Sequence, residues 1–110
     1  MLKIKKNILI TGGAGRIGSA IAKDLVRSGN QVLLADINKK KLLQVKREIN
    51  SKNIMIFQGD LTKKIHIDKL IKFGIKKYKK IDSAVHCSYP ISKKWGAKFV
   101  VAVPELKIIE

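Results

Sequence analysis

Apolar residues occur along the chain in two alternating patterns, short continuous runs and longer stretches with a period of about 3.6 residues. The continuous runs lie at residues 5–10, 31–35, 53–57 and 81–87. Runs of this length between turn residues are typical of strands that are buried on both faces of a parallel sheet. The first run ends in a group of glycines, so we expect a sharp turn directly after it.

The periodic stretches between these runs predict three amphipathic helices. The first covers residues 16–28 and ends at Gly29, a typical C-terminal cap, and the second begins at the capping residue Asn38. The apolar positions of the third are Ile67, Leu70, Ile71, Gly74, Ile75 and Tyr78. Strands that alternate with such helices predict right-handed β-α-β units. The fold class is therefore α/β, a Rossmann-like doubly wound parallel sheet of about four strands with helices on both faces.

The length of 110 residues predicts a single domain over residues 1–110, with no separate substrate domain. The pattern weakens over residues 88–110, which we expect to be an irregular tail in which Pro104 begins a helix. A doubly wound sheet of order 3-2-1-4-5-6 would then lack its last two strands. We therefore expect the chain to be a truncated dinucleotide-binding domain.

Composition excludes several classes of protein. Hydrophobic residues make up 45% of the chain, too many for a disordered segment, and no apolar run reaches the roughly 18 residues of a membrane span. The amino-terminal residues do not resemble a secretory signal. The single cysteine, Cys87, cannot form an internal disulfide. These features predict a soluble protein of the cytoplasm.

The charge is strongly basic, with 24 lysines and arginines against 8 acidic residues and a net charge of +16. Such an excess raises the hypothesis of nucleic-acid binding. Only three of the basic residues are arginine, however, and aromatic residues are 5% of the chain, whereas nucleic-acid readers favour arginine forks and stacking aromatics. We interpret the lysines as a solvated surface without specific nucleic-acid binding, and keep a polyanion binder as an alternative.

The candidate chemistry begins in the glycine-rich turn between the first strand and the first helix. Gly13, Gly15 and Gly18 form the spacing GxGxxG, and Gly12 directly precedes them. Glycines there allow the backbone to approach a pyrophosphate, and the helix start attracts its charge. The candidate contacts in this turn are Gly12, Gly13, Gly15, Arg16, Ile17 and Gly18. The alternative is an ordinary tight turn.

Asp36 ends the second strand, 18 residues after Gly18. A carboxylate at this distance can accept hydrogen bonds from the adenosine ribose hydroxyls and would repel a 2′-phosphate, which favours NAD. Three nearby lysines keep NADP open; they are Lys39, Lys40 and Lys41. The alternative role of Asp36 is that of a capping or turn residue before Asn38.

With Gly12, Gly15 and Gly18 also spaced as GxxGxxG, the sequence resembles the N-terminal half of the short-chain dehydrogenase/reductase family, from residue 5 to about residue 95. Residues 59–62, Gly-Asp-Leu-Thr, are similar to the aspartate signature of that family. The resemblance implies that Asp60 meets the adenine amino group and that the Leu61 backbone meets the ring. It also implies cofactor contacts at Cys87 and Ser88. The alternative for Asp60 is the N-cap of the third helix.

The end of the fourth strand departs from the family pattern. Residues 86–89 read His-Cys-Ser-Tyr where most short members have Asn-Asn-Ala-Gly, and the following residues resemble members found with bacterial surface-sugar and flagellin modification. Tyr89 and Lys93 have the spacing of the family's catalytic YxxxK pair. Pro90 disfavours the helix that this pair needs, and the family places the pair after a fifth strand. We therefore expect no catalytic residues in this chain.

No metal site is expected. His86 and Cys87 are adjacent on a strand and so point to opposite faces, and the other histidine, His66, is distant in sequence.

The resemblance implies an NAD(P)-dependent oxidoreductase that transfers hydride to or from an alcohol or carbonyl, with sugars among the candidate substrates. We expect the 110-residue chain to bind the dinucleotide without turnover and to meet a small-molecule substrate only in a full-length form. The alternative is a non-catalytic nucleotide-binding module. The exposed edge of the fourth strand and the apolar stripe of the third helix predict a homo-oligomer.

Overall fold

The computed structural model describes residues 5–87 and 107–109. Within these ranges the chain forms five strands and three helices. In chain order they are β1 (Asn7–Thr11), α1 (Arg16–Arg27), β2 (Gln31–Asp36), α2 (Lys39–Ile49), β3 (Ile54–Gln58), α3 (Lys64–Tyr78), β4 (Ser83–His86) and β5 (Lys107–Ile109). The strands pair in parallel in the order β3-β2-β1-β4-β5, which confirms the α/β doubly wound fold class.

Strands β1 to β4 contribute alternate residues to two separate cores, one on each face of the sheet. One core contains Ile10 and Leu34 of the sheet with Ala22 of α1 and Leu42 of α2. The other contains alternate strand residues, such as Leu9 and Leu33, packed with Leu70 of α3. Since both faces are covered by helices, the inner strands are apolar at nearly every position, which explains the continuous runs in the sequence.

The helix ends agree with the capping pattern at two places. The Asn38 side chain caps α2 by accepting a hydrogen bond from the Lys41 backbone N–H at 3.0 Å. Gly29 follows α1 with a φ of 92°, a backbone angle that favours glycine. Both residues end or begin a helix where the sequence predicts.

The structure adds a strand to the four that the sequence predicts, at residues 107–109, while residues 88–106 of the predicted tail lie outside the described residues. Residues 107–109 form β5, with Ser83 in register with Lys107 and Val85 with Ile109. They are therefore not part of the helix predicted to begin at Pro104. The edge of β4 offers unpaired backbone N–H and C=O groups, and a segment with two adjacent isoleucines is well suited to pair with it.

No helix in the described part of the chain is both long enough and apolar enough to cross a membrane.

Candidate functional site

The loops that carry the sequence-predicted residues meet at the carboxyl edge of the sheet. β1 lies between β2 and β4, so the chain leaves β1 toward one side and later returns to the other side. In open α/β sheets, ligands bind in the crevice formed at this change of direction. The structure thus brings together the loops after β1, β2 and β3 and the end of β4.

The glycine turn after β1 is held down on the sheet by backbone hydrogen bonds. Gly13 N–H donates to the Ala35 carbonyl oxygen at 3.1 Å, and Gly15 N–H donates to the Gly12 carbonyl oxygen at 3.2 Å. Gly12 has a φ of 70°, in the left-handed region. The turn is therefore closely packed against the end of β2.

The other glycines of the turn have different steric surroundings. A Cβ atom on Gly18 would lie 2.5 Å from the Gly12 carbonyl oxygen, and one on Gly13 would lie 2.6 Å from Leu34 Cδ2. A Cβ on Gly15 would meet only the Gly12 oxygen, at 3.5 Å, which is an ordinary van der Waals contact. A side chain at position 18 would therefore clash with the backbone, and one at position 13 would require the buried Leu34 side chain to move. Position 15 is exposed, and the lack of a side chain there leaves an open space, the gap at Gly15, beside the helix start.

α1 begins beside this gap without a side-chain cap. Its N-cap is Gly15, and no acidic residue lies in its first turn. Among the described residues, no side chain therefore caps the backbone N–H groups at the helix start, which carry partial positive charge. Arg16 and Ile17 at this end are both exposed, Ile17 to 64%. Such a helix start is suited to an anionic group.

Asp36 connects the loops after β1, β2 and β3. Its Oδ2 accepts a hydrogen bond from Ala14 N–H at 3.1 Å, and its Oδ1 accepts one from Asn38 N–H at 3.0 Å. Its backbone carbonyl oxygen accepts a third from Gly59 N–H at 3.0 Å. The turn role considered for Asp36 is thus present. Each carboxylate oxygen still has a lone pair available for a further donor.

Three exposed lysines follow Asp36 in the first turn of α2. They are Lys39, Lys40 and Lys41. Their positive charges lie close in sequence to the Asp36 carboxylate, so acidic and basic side chains are both present after the end of β2.

Asp60 is held in a tight turn rather than at a helix start. Its Oδ1 accepts hydrogen bonds from Thr62 Oγ1 at 2.6 Å and from Thr62 N–H at 3.1 Å. These two bonds, with smaller contributions from the charges of Lys63 and His66, lower the pKa of Asp60. The N-cap role for Asp60 is wrong, because α3 begins at Lys64 with Lys63 at its N-cap. Lys63 N–H donates to the Asp60 carbonyl oxygen, which places Asp60 one turn before the helix.

Leu61, the other residue of this loop in the predicted site, is partly buried and packs against the core on the α3 face of the sheet. Its side chain therefore helps to fix the position of the loop.

His66 contacts the loop that contains Asp60, although the sequence did not assign it to the site. Its Nδ1 accepts a hydrogen bond from Asp60 N–H at 2.7 Å. From the sequence alone, His66 is considered only as a metal ligand, and one too distant in sequence from His86 and Cys87 to complete a site. A histidine in the first turn of a helix that follows a short loop is the signal that could have indicated this contact.

The end of β4 is joined to the end of β1 beside the glycine turn. Thr11 Oγ1 lies 2.7 Å from His86 Nδ1, and Cys87 N–H donates to the Thr11 carbonyl oxygen at 2.8 Å. Burial raises the pKa of the half-buried Cys87 thiol, so this residue is not an activated nucleophile.

Ser88, Tyr89, Lys93 and Trp95, which the sequence placed near this end of the sheet, lie outside the described residues. Within the described ranges, no three histidine, cysteine, aspartate or glutamate residues are grouped as for a metal ion.

A parallel doubly wound sheet with a glycine turn at its central strand and an acid at the end of β2 defines the class of Rossmann-type nucleotide-binding domains. Within that class, residues 6–88 match the family model described as short chain dehydrogenase. The chain belongs to the short-chain dehydrogenase family.

Curated relatives match the chain over most of its length. It is 36% identical over 94 residues to post-translational flagellin modification protein A of Campylobacter coli, covering 83% of this chain and 37% of the relative. It is 32% identical over 85 residues to diacetyl reductase [(S)-acetoin forming] of Staphylococcus epidermidis, covering 76% of this chain and 33% of the relative. The chain spans about a third of the length of these relatives.

Solved structures show the same fold. The crystal structure of 3-ketoacyl-(acyl-carrier-protein) reductase from Brucella melitensis, complexed with NADH, superposes with a TM-score of 0.69 at 28% identity, over 73% of this chain and 32% of that one. A short chain dehydrogenase from Bacillus anthracis superposes with a TM-score of 0.73 at 28% identity, over 76% of this chain and 35% of that one.

Proposed function

We propose that this chain is the NAD-binding part of a short-chain oxidoreductase that transfers hydride to or from an alcohol or carbonyl substrate. The observation that carries the proposal is the gap at Gly15, which lies at the uncapped start of α1 beside the Asp36 carboxylate. An anionic group in this gap would meet free N–H donors, and a hydroxyl-bearing group next to it would meet an acceptor.

The proposed contacts follow a dinucleotide from its pyrophosphate to both of its ends. The backbone from Gly12 to Gly18 would hold the pyrophosphate, and Asp36 would accept hydrogen bonds from the adenosine ribose. Asp60 and the Leu61 backbone would bind the adenine. Cys87 and Ser88 would lie along the remainder of the cofactor. When bound, the nicotinamide supplies or takes the hydride.

The preference for NAD over NADP depends on the balance of charge at Asp36. Its carboxylate would repel a 2′-phosphate, whereas Lys39, Lys40 and Lys41 would attract one. Because Asp36 is fixed in place by Ala14 and Asn38 N–H groups while the lysines are exposed and free to move, we expect the carboxylate to dominate.

Calorimetric titration of the wild-type chain and Asp36→Asn with NAD and NADP tests this assignment. We expect the wild type to prefer NAD and Asp36→Asn to lose about tenfold in NAD affinity, as for a charge-assisted hydrogen bond. Asp24→Asn removes the same charge from an exposed site on α1 and serves as the control. Equal affinity of the wild type for both cofactors, or full NAD affinity in Asp36→Asn, would contradict the ribose role.

We propose substrate binding and catalysis only for a full-length protein. We expect no hydride transfer from the 110-residue chain alone, because Pro90 disfavours the helix that Tyr89 and Lys93 would need to act together as a proton donor. Turnover by this chain that disappears in Tyr89→Phe would contradict the expectation. A cytoplasmic location and a homo-oligomeric state remain predictions from the sequence.

A further inference from the structure

One side chain of α3, the His66 imidazole, accepts a hydrogen bond from the loop after β3, residues 59–62. His66 Nδ1 accepts the Asp60 backbone N–H at 2.7 Å, and its ring lies against Gly59, where a Cβ atom would come within 3.3 Å of Nδ1. His66 itself is fixed by its position in the first turn of α3, where its N–H donates to the Lys63 carbonyl oxygen at 3.1 Å. The imidazole therefore sets where this loop lies relative to α3.

The position of this loop is transmitted to the rest of the site. Gly59 N–H donates to the Asp36 carbonyl oxygen, and the Asp36 carboxylate in turn accepts the N–H of Ala14 in the glycine turn. A displacement of residues 59–62 would thus disturb both Asp60 and Asp36.

We propose that His66 is a positioning residue for the adenosine half of the cofactor, holding the loop of residues 59–62 in its binding conformation through the Asp60 N–H. The inference rests on the proposed function, since it assumes that Asp60 and Asp36 bind the adenosine. His66 acts through the loop and need not touch the cofactor.

The direction of this hydrogen bond limits which side chains could replace the imidazole. The Asp60 N–H is the donor, so position 66 must offer an acceptor atom near the place of Nδ1. An amide oxygen is such an acceptor, whereas an alanine side chain has none.

The test uses NADH as the probe and two variants of the full 110-residue chain. His66→Asn keeps an acceptor near the place of Nδ1, and His66→Ala removes the acceptor. At pH 8, we expect His66→Ala to bind NADH about five- to tenfold more weakly than wild type, the size of one lost hydrogen bond, and His66→Asn to bind within about twofold. Recovery of affinity in His66→Asn relative to His66→Ala separates the role of the acceptor from the loss of the imidazole itself.

A second measurement needs no cofactor. In proton–nitrogen NMR spectra, the Asp60 amide of the wild-type chain should be protected from exchange with solvent, and His66→Asn should keep much of this protection. His66→Leu, which keeps much of the volume of the imidazole but has no acceptor, should lose the protection and keeps the proposal testable if His66→Ala fails to fold.

The outcomes separate the two proposals. Equal NADH binding by the wild type and His66→Ala at pH 8, or an Asp60 amide that is equally protected in the wild type and His66→Leu, would overturn the role of His66 alone. Absence of NADH binding by the wild type would overturn the proposed function, and the role of His66 with it.

Discussion

At the scale of single residues, the glycines of the turn after β1 divide into those that the fold needs and one that it does not. Gly18→Ala would place a Cβ atom 2.5 Å from the Gly12 carbonyl oxygen and 2.8 Å from Gly13 Cα. Both are backbone atoms, which cannot move aside as a flexible side chain can. We expect Gly18→Ala to lower the free energy of unfolding by about 2 kcal/mol or more, measured by urea denaturation.

Gly15→Ala is the matched control for this prediction, because its Cβ atom meets only an ordinary contact at 3.5 Å. It should change the free energy of unfolding by less than about 1 kcal/mol. Similar losses of stability in the two variants would show that the steric distinction between the two positions is wrong.

The residues of the candidate site differ in how far the sequence could predict them. The turn from residue 12 to 18 and Asp36 follow from spacing, because the path from a strand to the next helix and strand is short and regular. His66 could not be predicted, since its contact with Asp60 N–H depends on how the intervening loop turns back. The same loop geometry explains why Asp60 does not cap α3.

At the scale of elements, the end of α3 is attached to the centre of the sheet through Tyr78. Its hydroxyl donates to the Val32 carbonyl oxygen of β2 at 3.0 Å, and burial raises the pKa of Tyr78 to about 12. An unfolded tyrosine ionises near pH 10. Because the folded state keeps its proton more tightly, stability from this group is present below about pH 10 and is lost as pH rises through about 12.

Tyr78→Phe tests this attachment. It should lower the free energy of unfolding by about 1 kcal/mol at pH 8, as expected for one lost hydrogen bond. The difference between the wild type and Tyr78→Phe should then shrink between pH 10 and pH 12. Lysines also titrate in this range, so the comparison is made between the two proteins at each pH. A difference that is the same at every pH would contradict the attachment.

The boundaries of most elements could be predicted within one or two residues, because apolar runs and caps are local signals. The predicted strand at 31–35, for example, is observed as Gln31–Asp36. β5 could not be predicted in this way, since its pairing partner β4 is distant in sequence and the proline at position 104 indicated a helix. Local rules do not show which free strand edge a distant segment will join.

At the scale of the whole molecule, the two surfaces behind the predicted homo-oligomer are largely used within the chain. β5 pairs with the β4 edge that was expected to be free. Of the apolar stripe on α3, Leu70 is buried and Ile71 and Tyr78 pack against the sheet, while Ile75 is 41% exposed. The oligomeric state of the wild type stays a prediction, and the β4 edge gives it a direct test.

Replacing both Ile108 and Ile109 by proline should expose that edge, because adjacent backbone N–H groups of a strand point to opposite sides, so one of the two prolines removes a donor to β4. Light scattering should then give a higher mass than for the wild type at about 0.15 M salt, where charge repulsion acts over only about 8 Å. The difference should decrease at low salt, since every protomer carries a net charge of +16. Equal masses for the two proteins at every salt concentration would show that β5 does not protect the edge.

The fold class could be predicted from the sequence because alternation of strands and helices restricts the sheet to few topologies. The function of the site is harder to predict at this scale. A protein with a net charge of +16 attracts any anion, so attraction of a dinucleotide does not by itself indicate a specific site. The most direct test of the proposed function therefore leaves the charge unchanged.

Titration of the wild-type chain and Gly15→Ala with NADH, at about 0.15 M salt, meets this condition most directly. The two proteins have the same charge and should have similar stability, but the added methyl group would fill the gap at the start of α1. We predict saturable binding of one NADH per wild-type chain and an affinity at least about tenfold lower in Gly15→Ala. Equal affinities in the two proteins, or no binding by the wild type, would contradict the assignment of this turn to a dinucleotide.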